Sequence, residues 1–579
     1  MGFAVIVACG LFISLVSSVY ARSEVERMGL NREEPFTLWL PDDFALATAI
    51  MAVFAIALGC AAYLFYARFD TIAAFLGRRA AWKRLPLEFT RRNALKAALC
   101  IFILWIPVFI VLYPGCLTVD TYDQLYQYQT TAPTYYATGH RMIDAEMIDH
   151  HPWFDTLLYG WFWQIGAAVG NQNAGIFLFV IVQGIVLALG LGASVCYLAR
   201  LGVPYPLRVA ALVFCAVFPF IPLFAATVLK DSTYLMFFIP WFLLWLEAVR
   251  TRGALFGNMR LLVAFFLLSG MCILTKKLGI ILLAPCLLVL FIRMRGYRVR
   301  IAGGAVACVV AFSLVAPAVA SWAVGGIAPG GRQETLSPAI QQMTALLVED
   351  WSALSEEEMA DVDKVFNVES AWYNFEPYRA DGAKNTFRPS ATTDGIVRFL
   401  GIWIQQGLKH PGTYLYSTAM TNGMLYIPFM KMTGYTGNDF LRRTPRYESY
   451  ETGFALDLGR PENLVELSDY LMNRSPECVF SNLPVVSLFF TSGFYGGWIP
   501  FLAFISILFA RKRRTADGRR AARPHDRVHL VLGLLPIIVS FALLFVCPVA
   551  SPRYVLPFLF GCPLILGWVW FSLARPDRV

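Results

Sequence analysis

The stretch Ala174-Gly-Ile-Phe-Leu-Phe-Val-Ile-Val-Gln-Gly-Ile-Val-Leu-Ala-Leu-Gly-Leu-Gly-Ala-Ser-Val-Cys-Tyr-Leu-Ala199 decides the fold class. Its 26 residues carry no charge, and the apolar residues run continuously rather than alternating. About 20 such residues cross the hydrocarbon core as a helix. Only helices and closed barrels can span lipid, because every backbone polar group must be satisfied internally. A continuous run of this length is a helix. Similar runs recur along the chain, predicting spans at 2–20, 44–66, 97–113, 174–199, 209–227, 232–249, 261–275, 279–293, 301–322, 484–510, 528–547 and 554–573. Of the 579 residues, 58% are hydrophobic and 15% charged, against about a quarter charged in a soluble chain. The N-terminal run lacks the positive flank and cleavage site of a signal peptide and reads as an uncleaved first span.

The basic residues give the orientation. Eight lysines and arginines lie in the 67–96 loop and eight in 511–527, while Arg250, Arg252 and Arg260 share one loop and Arg293, Arg295, Arg298 and Arg300 the next. Counting spans places all four loops on one face, and the positive-inside rule makes that face cytoplasmic, with both termini there. The net charge of +9 is thus a topology signal; basic residues scattered over short loops do not form a nucleic-acid-binding stripe, which excludes a nucleic-acid partner. The implied organisation is two N-terminal spans (1–66), a basic cytoplasmic loop (67–96), a core (97–322) with a first outer loop at 114–173, an extracytoplasmic domain (323–483), and three C-terminal spans (484–579). Within the domain, 395–407 and 413–430 are apolar but short, and read as lying on the membrane or forming a small core. Most of the twelve cysteines sit in spans as small hydrophobes; Cys116 and Cys478 fall outside and are a candidate pair.

Five clusters on the outer face can carry chemistry. Tyr113-Pro-Gly-Cys-Leu-Thr-Val-Asp120-Thr-Tyr-Asp123 places two carboxylates three residues apart, on one face of a helical turn. They can act as a general base or bind a divalent cation, or simply favour a helix N-terminus. Asp149-His150-His151-Pro152 offers acid, base or phosphate donor groups, or an interfacial loop stopped by proline. Lys230-Asp231 and Lys276-Lys277 put cations on the outer face, against the positive-inside trend. They can hold a lipid-linked phosphate or snorkel to the interface. Arg553, before the last span, can clamp a phosphate or anchor the interface with Tyr554.

The Asp pair just after a span, then His151-Pro152-Trp-Phe-Asp-Thr-Leu-Leu-Tyr, then a ladder of spans, resembles the GT-C class of glycosyltransferases. The Leu229-Lys230-Asp231 and Lys276-Lys277-Leu-Gly segments look like outer-loop motifs of its bacterial members, and the strings at Gly407–Tyr414 and Pro552–Tyr554 look like an actinobacterial branch of similar multispan proteins. The resemblance implies an all-α transmembrane bundle of about twelve helices with an α-rich extracytoplasmic domain. It implies an enzyme of the cell membrane that moves a sugar from a polyprenyl-phosphate donor to an envelope glycan, lipid or protein. It makes Asp120 the catalytic base, with Asp123 in support or binding a magnesium or manganese ion. His150, His151, Lys230, Asp231, Lys276, Lys277 and Arg553 become substrate-binding residues. Two spans before the loop-bearing helix, and a domain inserted before the last three spans, depart from the commonest pattern. A transporter or flippase of lipid-linked saccharides is the alternative, though the charges sit at span ends and no half-to-half repeat is visible. A non-catalytic envelope scaffold would leave the outer charges unexplained.

Overall fold

The computed structural model describes residues 2–27, 43–78, 85–129, 134–136, 141–143, 147–427, 447–448, 455–456, 458–471, 487–509 and 527–574. Of the features singled out in the sequence, Cys478 and most of the 511–527 basic loop lie outside these residues.

The chain is helical at each of the twelve predicted stretches. A hairpin of α1 (Gly2–Arg27) and α2 (Phe44–Ala67) comes first, and Asp43 caps α2 by accepting from the Leu46 amide. A short α3 (Phe69–Arg78) leads to α4 (Arg91–Val111), whose N-terminus is capped by Thr90. Between α4 and the next span lie β1 (Cys116–Leu117), α5 (Val119–Gln129), the hairpin β2 (Thr134–Tyr136) and β3 (Arg141–Ile143), then β4 (Met147–Asp149) and α6 (Trp153–Ala168). The core continues with α7 (Gln172–Tyr197), α8 (Tyr205–Val217), α9 (Phe220–Ala225), β5 (Thr227–Val228), α10 (Lys230–Arg250), α11 (Met259–Thr275) and α12 (Gly279–Arg293). A helix from Arg298 to Val324, in two α segments, α13 (Arg298–Val309) and α14 (Ala316–Val324), is joined through a π turn.

Six helices among the described residues are long and apolar enough to cross a membrane, and a seventh if Arg527–Gly533 and Leu535–Leu544, bent by 58°, form one span. The other five predicted stretches hold shorter apolar helices. The predicted 209–227 span needs correction: α8 ends at Val217, where Pro219 and then Pro222 remove the amides a continuing helix would need. The chain there breaks into α9 and β5.

Buried aromatic and aliphatic side chains from α4 to the last helix form one continuous core. In lipid, helices gain no hydrophobic drive from meeting each other, so close backbone approach matters. Gly192 of α7 shows this: a Cβ there would lie 2.6 Å from the Ala98 amide nitrogen of α4. Buried indoles find partners, as Trp241 donates to Ser269 Oγ at 2.9 Å and Trp245 to the Leu532 carbonyl at 3.1 Å.

After β6 (Ile327–Pro329) a second, separate core forms around α15 (Gln333–Glu349), α16 (Glu356–Asp363), α17 (Val368–Tyr373), α18 (Asp381–Lys384), α19 (Thr393–Lys409) and α20 (Pro411–Asn422). Met343, Phe366 and Phe399 are fully buried in it. β6 pairs in parallel with β4, with Asp149 opposite Pro329. The chain returns through α21 (Glu462–Leu471) and α22 (Ile499–Leu508), then α23 (Arg527–Gly533), α24 (Leu535–Leu544) and α25 (Leu556–Leu573).

Candidate functional site

α10 separates two charged clusters. Its 21 residues span about 31 Å at 1.5 Å per residue, which matches the hydrocarbon thickness. At its C-terminal end Glu247 takes Arg200 at 2.9 Å and Arg250 at 2.7 Å, a structural clamp. At its N-terminal end lies the candidate site.

Backbone pairing places the site's first carboxylate. α4 ends at Val111, and Pro114-Gly115 turns the chain into β1. β1 pairs in parallel with β5, Cys116 opposite Thr227, and Thr121 Oγ1 donates to the Val228 carbonyl at 2.5 Å. Gly115 has a φ of +130°, and a Cβ there would meet Val180 Cγ2 at 2.8 Å. Only glycine fits this turn without strain. From beneath, Gln183 donates to the Ala225 and Thr227 carbonyls, both at 2.9 Å. The start of α5 is thus locked beside the start of α10.

Asp120 and Lys230, 110 residues apart, meet there at 2.8 Å. The same oxygen, Asp120 Oδ2, accepts from Arg553 Nη1 at 2.7 Å. His151 Nδ1 lies 3.0 Å from Lys230 Nζ and 3.9 Å from Asp120 Oδ2, while His151 Nε2 is 4.0 Å from Asp123 Oδ2. An ammonium can only donate, so Lys230 assigns Nδ1 as acceptor and leaves the proton on Nε2, on the side of Asp123. Asp231 Oδ1 accepts from Lys276 at 2.7 Å. Lys276 sits 5.3 Å from the Tyr234 ring centre and 5.9 Å from that of Tyr554, and Arg553 lies 5.3 Å from Tyr554. Arg553 Nε and Asp231 Oδ2 are 3.9 Å apart, both buried, and neither has a hydrogen-bond partner among the described residues.

Eight of the nine candidates therefore connect through contacts between charged or imidazole groups or rings. His150 joins through an edge-to-face contact with His151, ring centres 4.6 Å apart. Lys277 stands to one side, bound to the Asp149 carboxylate at 3.2 Å and to its carbonyl.

The two carboxylates on α5 differ in proton affinity. Burial would raise Asp120, but Lys230 and Arg553, helped by His151, overcome it and hold the carboxyl well below its usual range. Among the described residues no lysine or arginine pairs with Asp123. Burial and then the negative charge of Asp120 push it up to about 7, although 45% of its side chain is accessible at the rim. Burial, reinforced by Lys230, lowers His151 well below 6.5, so the ring is neutral near pH 7. Burial also lowers His150 to about 4, against the pull of Glu334.

A model described as a family of unknown function, DUF6020, matches residues 2–452, most of the chain. The chain belongs to the DUF6020 family. No curated protein and no solved structure matches it.

Three features of this DUF6020 site were not singled out as candidates from the sequence. Tyr234 and Tyr554 wall the Lys276 ammonium; on apolar helices such tyrosines read as ordinary core or interface residues. Asp155, one helical turn beyond His151, is fully buried, and both of its oxygens lack a hydrogen-bond partner among the described residues. Burial raises its carboxyl well above the usual range. A cleft runs from Lys276 and Tyr554 along Leu278, Leu282, Leu543 and Leu544, between α12 and α24.

The expected magnesium or manganese ion does not fit this arrangement. Among the described residues no three His, Cys, Asp or Glu side chains gather to hold a metal, and Asp120 Oδ2 is already shared by two cations. No step below is routed through a metal. Cys116, the described half of the candidate disulfide, accepts from the Arg460 guanidinium at 3.6 Å.

Proposed function

We propose that this DUF6020 protein is a membrane-embedded glycosyltransferase of the cell membrane. It takes a sugar from a polyprenyl-phosphate donor and passes it to a hydroxyl of an envelope glycan, lipid or protein at the extracytoplasmic face, with both termini cytoplasmic. The observation that carries this reading is the grip of Lys230 and Arg553 on one carboxylate oxygen at 2.8 and 2.7 Å. An ammonium and a guanidinium converging on a single anionic oxygen at a span end are what a lipid-linked phosphate requires. The unsatisfied Arg553 Nε adds a donor.

The reaction has two demands. The acceptor hydroxyl must lose its proton as its oxygen bonds to the anomeric carbon. The bond from that carbon to the phosphate oxygen must break, its electron pair staying on the phosphate. Arg553, Lys230 and Lys276 stabilise the charge gathering on the departing phosphate. The proton goes to Asp123 rather than Asp120. A carboxylate clamped by two cations is a poor base, whereas one titrating near 7 at an accessible rim is matched to the task. Asp120 then serves to hold the cations in register, and His151, with its Nε2 proton beside Asp123, orients the base.

The test is mass spectrometry of envelope glycans from a deletion strain complemented at equal protein levels. A sugar lost on deletion should return with wild type and not with Asp123→Asn. Unchanged glycans on deletion would overturn the reading, and full restoration by Asp123→Asn would remove Asp123 as the base.

A further inference from the structure

α19 has two apolar faces, and only one is covered. Thr392 caps its start by accepting from the Gly395 amide at 3.0 Å. One face sends Phe399 into the second core, and Trp403 donates to Gln342 Oε1 at 2.9 Å. The opposite face carries Val397, Ile404 and Leu408, at 63%, 55% and 80% exposure, spaced seven and four residues apart so that they form one stripe. Leu415, 72% exposed on α20, stands just beyond the turn that follows Leu408. Single exposed aliphatics are normal on a soluble surface. A row of them along one helix marks a surface that meets something apolar.

The charges beside the stripe indicate what it meets. Arg398 and Lys409 are exposed next to Val397 and Leu408; α19 itself carries one acid, Asp394, at its start, while Glu358 and Asp361 of α16 lie near enough to Lys409 and Arg398 to interact with their charge. An apolar stripe flanked by cations is the composition of a helix lying in the headgroup layer of an anionic leaflet. The domain is also held close to the spans. It follows directly from α14, and at its far end Asn422 donates to the Phe545 carbonyl at 2.9 Å, with Tyr426 stacked on Phe545 at 4.9 Å.

We infer that the outward face of α19, with Leu415, lies in the headgroup layer of the leaflet at the site end of the bundle. The bilayer surface is thus the partner of the second core. This does not depend on glycosyl transfer: it concerns how the domain is seated, whatever chemistry the charged cluster performs.

The test uses the full chain in nanodiscs containing anionic phospholipid. A nitroxide is attached at Ile404→Cys or, for comparison, at Glu357→Cys on the exposed side of α16, with the wild-type labelling background subtracted. Collision with oxygen, which concentrates in lipid, is compared with collision with a water-soluble nickel chelate. The expected result is an Ile404 label favouring oxygen and shielded from nickel, with the reverse at Glu357. An Ile404 label as open to nickel as Glu357 would overturn the inference by placing the stripe in water. One shielded from both reagents would overturn it in favour of a protein partner, including a second copy of this chain.

Discussion

At the scale of single residues, the division of labour between Asp120 and Asp123 is the central point. Both aspartates, and the seven other candidates, were legible in the sequence as unusual charges on one face. Their roles were not, because proton affinity depends on partners far away in the chain: Lys230 is 110 residues from Asp120, and Arg553 is 433. In the proposed mechanism Asp123 takes the part of base that the resemblance gives to Asp120, because those cations sit on Asp120. A pH prediction follows from the proposed mechanism. With Asp123 titrating at about 7, turnover should rise roughly tenfold from pH 6 to pH 8 as the carboxylate forms. His151, neutral throughout that range, should add no second limb. Stability runs the other way. Folded Asp123 binds its proton more tightly than the unfolded chain does, so between about pH 4 and 7 its contribution falls as pH rises. Asp120 has the opposite sign: its contribution is present above about 4 and is lost on acidification through its lowered folded value. A flat pH–rate profile across 6 to 8 would rule out Asp123 as the titrating base.

At the scale of elements, helix positions were readable because lipid demands length and apolar continuity, and each predicted stretch is helical. Interruptions were harder to see. Pro219 and Pro222 stood in plain view inside the 209–227 run, yet hydropathy alone carries no backbone information, and the short parallel pair β1–β5 has no composition signal at two residues a strand. That pair is what brings α5 and α10 together, and Gly115 is its hinge point. Substituting Gly115→Ala forces a Cβ to within 2.8 Å of Val180 at a φ that costs about 1–3 kcal/mol for other residues. The expected outcome is a lower thermal-unfolding midpoint in detergent and loss of turnover. Val180→Ala, which removes the methyl in contact, should recover part of the stability in the double variant. An unchanged midpoint for Gly115→Ala would show that the turn tolerates a side chain.

At the scale of the whole molecule, the second core and the bundle meet at the site itself. Residues 376–380 reach across to the turn that carries Arg553: the Ala380 amide donates to the Pro548 carbonyl at 2.8 Å, and Arg379 bridges Val549. On the other side β6 pairs with β4, placing Gly330 against the Asp149 carbonyl beside Lys277. These contacts were not legible in the sequence: the apolar runs 395–407 and 413–430 pointed to a small core or the membrane surface, and no signal said where the domain would touch the spans. In the proposed mechanism these contacts let the domain position Arg553, the proposed phosphate clamp. Ala380→Pro tests this, because proline lacks the amide hydrogen yet accepts the Ala380 φ of −82°. Losing one such bond costs about 1 kcal/mol, or roughly fivefold in transition-state stabilisation if the clamp loosens in proportion. The loss should fall on kcat/KM for the lipid-linked donor, with the bundle's thermal midpoint little changed, because the core from α4 to α25 is separate from the core around α15 to α20. A variant that lowers the midpoint and leaves kcat/KM intact would mean that the contact holds the domain in place without tuning Arg553.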